Sequence, residues 1–142
     1  MKRIIISLLL IVPFLTISCG NTGTADSKAT QEQKTGTFKN VSVTDLNTAI
    51  SEGGDIVVLD VRTPGEVSQG YVDGALNMDV NGSNFKNQAA ELDKNKIIYV
   101  YCRSGHRSQN ASKILISMGF SDVRNVEGGF IAWSQKGYKS VK

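Results

Sequence analysis

A strand-like run that passes through a cysteine loop into a helix-like segment constrains the fold of this chain most strongly. Residues 97–100 (Ile-Ile-Tyr-Val) have the apolar composition of a buried strand. Residues 101–107 (Tyr-Cys-Arg-Ser-Gly-His-Arg) follow, and four apolar residues then recur at helical spacing, namely Ala111, Ile114, Leu115 and Met118. This order predicts that Cys102 lies on a short loop between a strand and a helix N-terminus.

The predicted surroundings of Cys102 favour a thiolate. A helix N-terminus carries partial positive charge and unpaired N–H groups, which stabilise an anion. Arg103 and Arg107 add full positive charges, and Gly105 lets the backbone curl closely around a sulfur atom. Because the thiolate is the reactive form of cysteine, the loop indicates a nucleophile. A buried, inert thiol is the alternative.

Strand-like and helix-like segments alternate along residues 38–142. Apolar or β-branched runs predict strands at 56–61, 74–78, 96–101 and 123–126, with Tyr99 and Tyr101 facing opposite sides of the sheet. Apolar spacing, caps and glycine stops predict helices that begin near 43, 64, 85, 108 and 130. Such alternation is typical of the α/β class, with a mostly parallel central sheet and helices on both faces.

The N-terminal segment has the pattern of an export signal. Residues 1–3 (Met-Lys-Arg) are basic, residues 4–17 are almost wholly apolar, and small residues follow. The apolar run is shorter than the roughly 20 residues that a transmembrane helix needs. Residues 20–37 are polar and lack apolar periodicity, so we expect a flexible tether.

Residues 16–19 (Thr-Ile-Ser-Cys) resemble the lipobox of bacterial lipoproteins. This resemblance implies that residues 1–18 are a lipoprotein signal peptide and that Cys19 carries lipid. The tether then covers residues 19–37, ahead of one domain at 38–142. The implied location is the bacterial cell envelope, anchored to a membrane and facing the periplasm rather than the cell surface. A plain cleaved signal peptide is the alternative.

Charge and cysteine counts narrow the function further. Loss of Lys2 and Arg3 with the signal leaves 14 basic and 13 acidic residues, formally +1, which gives no support for nucleic acid as a partner. If Cys19 is lipidated, Cys102 has no disulfide partner in the chain. His106 is the only histidine, so we expect no histidine-rich metal site.

Four ordered motifs from about residue 42 to 138 resemble a single-domain rhodanese. They are Asp60-Val61-Arg62, then Glu66 with residues 70–78, then the Cys102–Arg107 loop, and finally Gly128-Gly129 with Trp133 and residues 137–138. Tyr71 stands where this family usually has histidine. The resemblance implies a sulfurtransferase without metal or organic cofactor. Cys102 would take sulfane sulfur from thiosulfate or a similar anionic donor as a persulfide, and cyanide or a thiol would accept it.

The resemblance also suggests roles for individual residues. Arg103, Ser104, Gly105, His106 and Arg107 would bind the substrate, with His106 as a contact residue or, alternatively, a general base. Asp60 and Arg62 would form a structural pair, with Glu66 as a partner of Arg62, or Arg62 would steer the anionic donor.

Three other functions are weighed against sulfur transfer. A rhodanese-like domain can serve as a non-catalytic binding module, or as a persulfide carrier that delivers sulfur only to a protein partner. Cysteine-dependent phosphatases and arsenate reductases are disfavoured by loop length. Four residues separate Cys102 from Arg107, one fewer than in those phosphatases, so the ring suits a single sulfur atom better than a phosphate.

Overall fold

Strands and helices alternate along residues 36–142, the part of the chain that the computed structural model describes. The signal peptide, Cys19 and nearly all of the tether lie outside the described residues. The elements in chain order are β1 (Lys39–Val41), α1 (Val43–Ser51), β2 (Ile56–Asp60), α2 (Pro64–Val67), β3 (Tyr71–Val72), β4 (Leu76–Asn77), α3 (Phe85–Ala90), β5 (Ile97–Tyr101), α4 (His106–Ser117), β6 (Asp122–Val126), α5 (Gly129–Gln135) and β7 (Ser140–Val141).

The main sheet is parallel throughout, which confirms the predicted α/β class. Its five strands lie in the order β1-β6-β5-β2-β4, and every neighbouring pair is parallel. Strand β5, which leads directly into Cys102, is central and is flanked by β2 and β6. A parallel strand covered on both faces has apolar residues almost continuously, and β2 and β5 have this composition. The central strand therefore presents Cys102 at the carboxyl edge of the sheet.

Helices cover both faces of the sheet, as predicted, and each face has its own core. On one face α3 and α4 pack through Phe85, Ala111 and Leu115, and the Cys102 side chain belongs to this core. On the other face α1 and α5 pack through Leu46 and Trp133. The loop after β5 is consequently held by the apolar packing of Cys102 under α3 and α4 as well as by backbone contacts.

Three short strands and one side-chain orientation were not predicted correctly. β1, β3 and β7 were not expected, and the strand expected at 74–78 is only Leu76–Asn77. Tyr99 and Tyr101 both belong to the core under α1 and α5, so the expectation that they face opposite sides is wrong. Side chains two residues apart in a strand point the same way, because the strand repeats every two residues.

Within residues 36–142, no helix combines the length and apolar character needed to cross a bilayer.

Candidate active site

The loop between β5 and α4 wraps around the sulfur of Cys102. Gly105 is the N-cap of α4 and has φ +101°, a backbone conformation that residues with a Cβ rarely adopt. This conformation turns the Gly105 N–H toward the sulfur, to which it donates at 3.1 Å. A Cβ on Gly105 would also lie 3.3 Å from the backbone nitrogen of Gly128. Both the curl of the loop and its close approach to the next segment therefore need glycine here.

Cys102 is a free thiol whose residue is 1% exposed. Burial alone raises the pKa of this thiol, because a charge is less stable away from water. Hydrogen bonds from the Ser108 hydroxyl and from the N–H groups of Ser108, Ser104 and Gly105 outweigh burial, so the pKa is lower than that of an ordinary cysteine. The loop thus favours the thiolate, which is the form required for nucleophilic attack.

The N-terminus of α5 holds the same loop in place. Phe130 donates its backbone N–H to the Cys102 carbonyl at 2.8 Å, and Ile131 donates to the Arg103 carbonyl at 3.0 Å. The backbones approach so closely that a Cβ on Gly129 would lie 2.3 Å from the Cys102 carbonyl oxygen. The Gly128-Gly129 pair is visible in the sequence, but its contact with the cysteine loop depends on the fold.

Arg107 is held beside the loop by the carboxylate of Glu66, which was expected to pair with Arg62. Its guanidinium donates to both oxygens of Glu66, at 2.8 and 2.6 Å. The prediction that Glu66 pairs with Arg62 is therefore wrong. The hydrogen bond with Arg107 is the main reason that the pKa of Glu66 falls to about 2. Glu66 also closes the capping box of α2 with Thr63, so this one carboxylate joins α2 to α4.

Arg62 instead forms a buried ion pair with Asp60. The two side chains meet at 2.6 Å with exposures of 4% and 0%, and Arg62 donates a further hydrogen bond to the Gly70 carbonyl at 2.8 Å. The guanidinium also lies 4.1 Å from the centre of the Phe130 ring. With its Nε and Nη2 donors engaged in this way, Arg62 has the geometry of a structural cation that braces the end of β2.

Three side chains of the loop remain exposed around the buried sulfur: Arg103, Ser104 and His106. A cavity of about 570 Å³ opens beside the loop, and Arg103, Glu66 and Phe130 contribute to its wall. A smaller cavity of about 260 Å³ lies on another side, where Ser104 and His106 are among the lining residues. Cys102 lines neither cavity, and the exposed side chains of Arg103 and His106 border the open space beside the buried sulfur.

Sequence reasoning did not identify Ser108, Asn125 or Asn40. Ser108 Oγ lies 2.7 Å from Asn125 Oδ1, and the Asn125 amide donates to Asn40 at 3.0 Å. Ser108 follows Arg107 directly, so its place in the first turn of the helix could have drawn attention to it. Nothing local in the sequence connects it to Asn125, which lies 17 residues further along the chain.

Fold and site together define a class of protein: a parallel α/β domain that presents a cysteine of lowered pKa within a loop at a helix N-terminus. Within residues 36–142 there is no cluster of three or more histidine, cysteine, aspartate or glutamate residues that could hold a metal ion. The rhodanese-like domain family matches residues 42–136 of the chain. The chain belongs to this family.

Known relatives agree with this assignment. A sulfurtransferase of Allochromatium vinosum is 34% identical over 96 residues, which cover 68% of this chain and 88% of that protein. Thiosulfate sulfurtransferase GlpE of Shewanella oneidensis is 34% identical over 98 residues, which cover 69% and 94% of the two chains. Among solved structures, a rhodanese-related protein of Thermoplasma volcanium superposes with a TM-score of 0.65 at 31% identity, covering 73% of this chain and 98% of that one.

Proposed function

We propose that this protein is a sulfurtransferase that moves sulfane sulfur from thiosulfate, or a similar anionic donor, to cyanide or a thiol through a persulfide on Cys102. The observation that carries the proposal is the thiol itself. Its pKa is lowered within a loop whose Gly105 N–H donates to the sulfur at 3.1 Å. The relatives named sulfurtransferases support the same chemistry.

In the first step the Cys102 thiolate attacks the outer sulfur of thiosulfate. A Cys102–sulfur bond forms while the sulfur–sulfur bond of thiosulfate breaks, and sulfite leaves with the bonding electron pair. The persulfide retains one negative charge, so no external oxidant or proton is needed. The N–H groups that face Cys102 would stabilise this charge, because they are already oriented before the reaction.

In the second step cyanide or a thiolate attacks the outer persulfide sulfur. The new bond gives thiocyanate or a product persulfide, and the Cys102 thiolate leaves with the electron pair of the broken bond. The same donors that lower the pKa of Cys102 also make it a better leaving group, because they stabilise the thiolate form. The covalent intermediate thus divides the transfer into two displacements at sulfur.

The exposed cation of the loop would attract the anionic donor. Arg103 is exposed and lines the larger cavity, whereas the guanidinium of Arg107 is already paired with Glu66. We therefore assign donor recruitment to Arg103 and the fixed positive potential beside the sulfur to Arg107. His106 and Ser104, which are exposed on the other side, would contact the substrate rather than activate the thiol.

Mass spectrometry of Cys102 after exposure to thiosulfate tests the proposal. The wild-type peptide should gain the mass of one sulfur atom, and cyanide should then remove it as thiocyanate. Cys102→Ser should do neither, and a far-ultraviolet circular dichroism spectrum would show that it still folds. Absence of an adduct on a folded wild-type protein would contradict the proposal.

The same assay distinguishes the other functions. Loading of Cys102 with little turnover by cyanide or small thiols would indicate a carrier that serves a protein partner. Hydrolysis of an aryl phosphate that depends on Cys102 would indicate a phosphatase. A folded protein with neither activity would be a binding module.

We also propose that Cys19 is lipidated and anchors the domain in the bacterial cell envelope, facing the periplasm. The support is the lipobox-like Thr16-Ile17-Ser18-Cys19 after a basic and apolar start. Expression in a bacterium should give a membrane-bound protein whose N-terminal residue is a diacylglyceryl cysteine by mass spectrometry. Cys19→Ser should release the protein from the membrane fraction, and an unmodified Cys19 in the wild type would contradict the anchor.

A further inference from the structure

A separate cavity lies on the α1 and α5 face of the sheet. Its volume is about 460 Å³, within the roughly 300–1,000 Å³ that is typical of small-molecule sites. Ile50 of α1, Val72 of β3 and Trp133 of α5 are among its lining residues. It shares no lining residue with the two cavities beside the active-site loop. A molecule bound here would therefore occupy a different site from the proposed sulfur donor.

The buried part of the cavity wall is apolar. Val72 and Trp133 are 1% and 2% exposed, and Ile50 packs against the same core. The hydrogen-bonding groups of these buried residues are already engaged. Trp133 Nε1 donates to the Lys139 carbonyl at 3.1 Å, and the Val72 N–H donates to the Tyr101 hydroxyl at 3.1 Å. This part of the wall consequently suits an apolar body rather than a polar one.

The exposed part of the wall carries one charge of each sign. Lys139 Nζ lies 2.6 Å from Asp73 Oδ2, and the two side chains are 78% and 50% exposed. An ion pair this exposed contributes little to stability, because water solvates both charges well. An ammonium has several N–H donors and a carboxylate has several lone pairs, so each group can take a second partner. A ligand can therefore bind both charges at little cost to the fold.

One class of small molecule matches an apolar wall beside paired opposite charges. An α-amino acid carries an ammonium, a carboxylate and its side chain on a single carbon atom. Its ammonium would bind Asp73 and its carboxylate Lys139, while an apolar side chain would contact Ile50. A ligand with a charge of one sign would leave the other charge of the pair without a new partner. A polar side chain would lose its hydrogen bonds to water against the apolar wall.

We propose that this cavity binds a free apolar α-amino acid, with Asp73 and Lys139 holding its two charges. The proposal does not depend on sulfur transfer, because the residues involved are not those that hold Cys102. A bound amino acid would connect α1, the turn after β3 and the segment before β7, to which Ile50, Asp73 and Lys139 belong. Because such a site exists only in the folded protein, binding should stabilise the domain against urea.

Trp133 makes the site directly observable. It is the only tryptophan in the chain, so selectively excited tryptophan emission reports on one lining residue. We expect L-leucine to change this emission saturably in the millimolar range, as is reasonable for a small ligand in an open cavity. The urea midpoint of the full chain should rise over the same range. Absence of both effects in the folded wild type would overturn the proposal.

Analogues of leucine test each of the expected contacts. Isocaproate is leucine without the ammonium, and isoamylamine is leucine without the carboxylate. Each should bind about fivefold more weakly than leucine, because one partly exposed charge pair is lost. L-Alanine keeps both charges and lacks most of the apolar side chain, so it should bind at least about tenfold more weakly. Equal binding of leucine and any one of these analogues would overturn the proposed ligand class.

Two variants assign the charges of the ligand to their partners. Asp73→Asn should bind leucine and isocaproate equally, because the ammonium has lost its partner. Lys139→Gln should in the same way bind leucine and isoamylamine equally. A variant that merely loosened the fold would weaken all ligands alike and keep the preference for leucine. Unchanged preferences in both variants would overturn the assignment.

Asp55→Asn is the matched control. Asp55 forms an exposed pair with Lys96, also at 2.6 Å, and neither residue lines the cavity. This variant should keep the wild-type affinity for leucine and its analogues. A loss of leucine affinity equal to that of Asp73→Asn would show that the charges act at a distance and not as contacts, which would overturn the proposal.

Cys102→Ser separates this cavity from the active site. It should bind leucine as the wild type does, and loss of binding would place leucine at the active-site loop and overturn the proposal. Thiosulfate loading of Cys102 is measured separately on the wild type. Leucine binding by a protein that never loads sulfur would support the amino-acid site and contradict the proposed sulfur transfer.

Discussion

At the scale of single residues, Gly129 is the glycine at which an added Cβ should destabilise the fold most. Its φ is +54°, and a Cβ would lie 2.3 Å from the Cys102 carbonyl oxygen and 2.8 Å from the Arg103 carbonyl carbon. Both neighbours are backbone atoms of the active-site loop, so neither can move without moving the loop. We expect Gly129→Ala to destabilise the fold by about 3 kcal/mol. Thiosulfate loading of Cys102 should fall at least about tenfold.

Gly137→Ala is the matched control for this prediction. Gly137 also has a left-handed backbone, with φ +70°, but no atom lies within 4 Å of the Cβ that would be added. Gly137→Ala should lower the free energy of unfolding by about 1 kcal/mol through backbone strain alone. It should leave the thiosulfate loading of Cys102 unchanged. Urea unfolding and sulfur loading measure the two effects. Equal losses from both variants would show that the close approach of α5 to the loop does not matter.

At the scale of elements, the Glu66–Arg107 pair ties α2 to α4. The pair is bidentate and its side chains are 29% and 26% exposed, so water screens it in part. We expect Glu66→Gln to lower the free energy of unfolding by about 1 kcal/mol near neutral pH. The pKa of Glu66 is about 2 in the folded protein against an ordinary 4.5. The stabilisation is therefore complete above about pH 4.5 and is lost as the pH falls toward 2.

Urea unfolding of wild type and Glu66→Gln at about pH 6 and about pH 3 measures that dependence. The difference between the two proteins should be smaller at the lower pH. Asp55→Asn is the control, because it removes an exposed pair with Lys96 whose carboxylate is 81% exposed. That variant should show no measurable loss at either pH. A Glu66→Gln difference that grows on acidification would have the wrong sign for this linkage.

The elements that the sequence predicts are those whose signals are local. A capping box of Ser42 and Asp45 starts α1 at the predicted residue 43, and the apolar runs of β2 and β5 form the centre of the sheet. By contrast, β3 and β7 are two residues each and exist because Tyr71 and Val72 pair with Val141 and Ser140. Their pairing partners are distant in sequence, so no local pattern could show them.

At the scale of the whole molecule, the same distinction between local and long-range signals applies to the candidate active site. The loop around Cys102 was predictable because strand, cysteine, glycine and helix are contiguous. The Glu66–Arg107 pair joins residues 41 positions apart, and the Ser108–Asn125 contact joins residues 17 apart. Only the order of strands in the sheet brings these groups together. Sequence alone therefore identifies Cys102 as the candidate nucleophile and leaves out most of the contacts that orient its loop.

The C-terminal segment is linked through β3 to β5, the strand that directly precedes Cys102. β7 pairs with β3, and the Lys139 carbonyl accepts a hydrogen bond from Trp133 Nε1 at 3.1 Å. The Val72 N–H of β3 donates in turn to the hydroxyl of Tyr101 at 3.1 Å. Tyr101 is buried and directly precedes Cys102. The last four residues thus complete a set of contacts that ends beside the active-site loop.

Deletion of residues 139–142 should consequently destabilise the whole domain. We expect a loss of about 2 kcal/mol in urea unfolding, since backbone pairs and the partner of a buried indole N–H disappear together. Hydrogen exchange at Tyr71, the residue opposite Val141, should accelerate, because β3 loses its only strand partner within residues 36–142. Lys139→Ala is the control: it removes the exposed pair with Asp73 but keeps the backbone carbonyl, so stability should not change measurably.

Because α5 still holds the loop through Phe130, alkylation of Cys102 should change less than about twofold in the deletion. Unchanged stability on deletion would mean that the β3–β7 pair adds nothing to the fold.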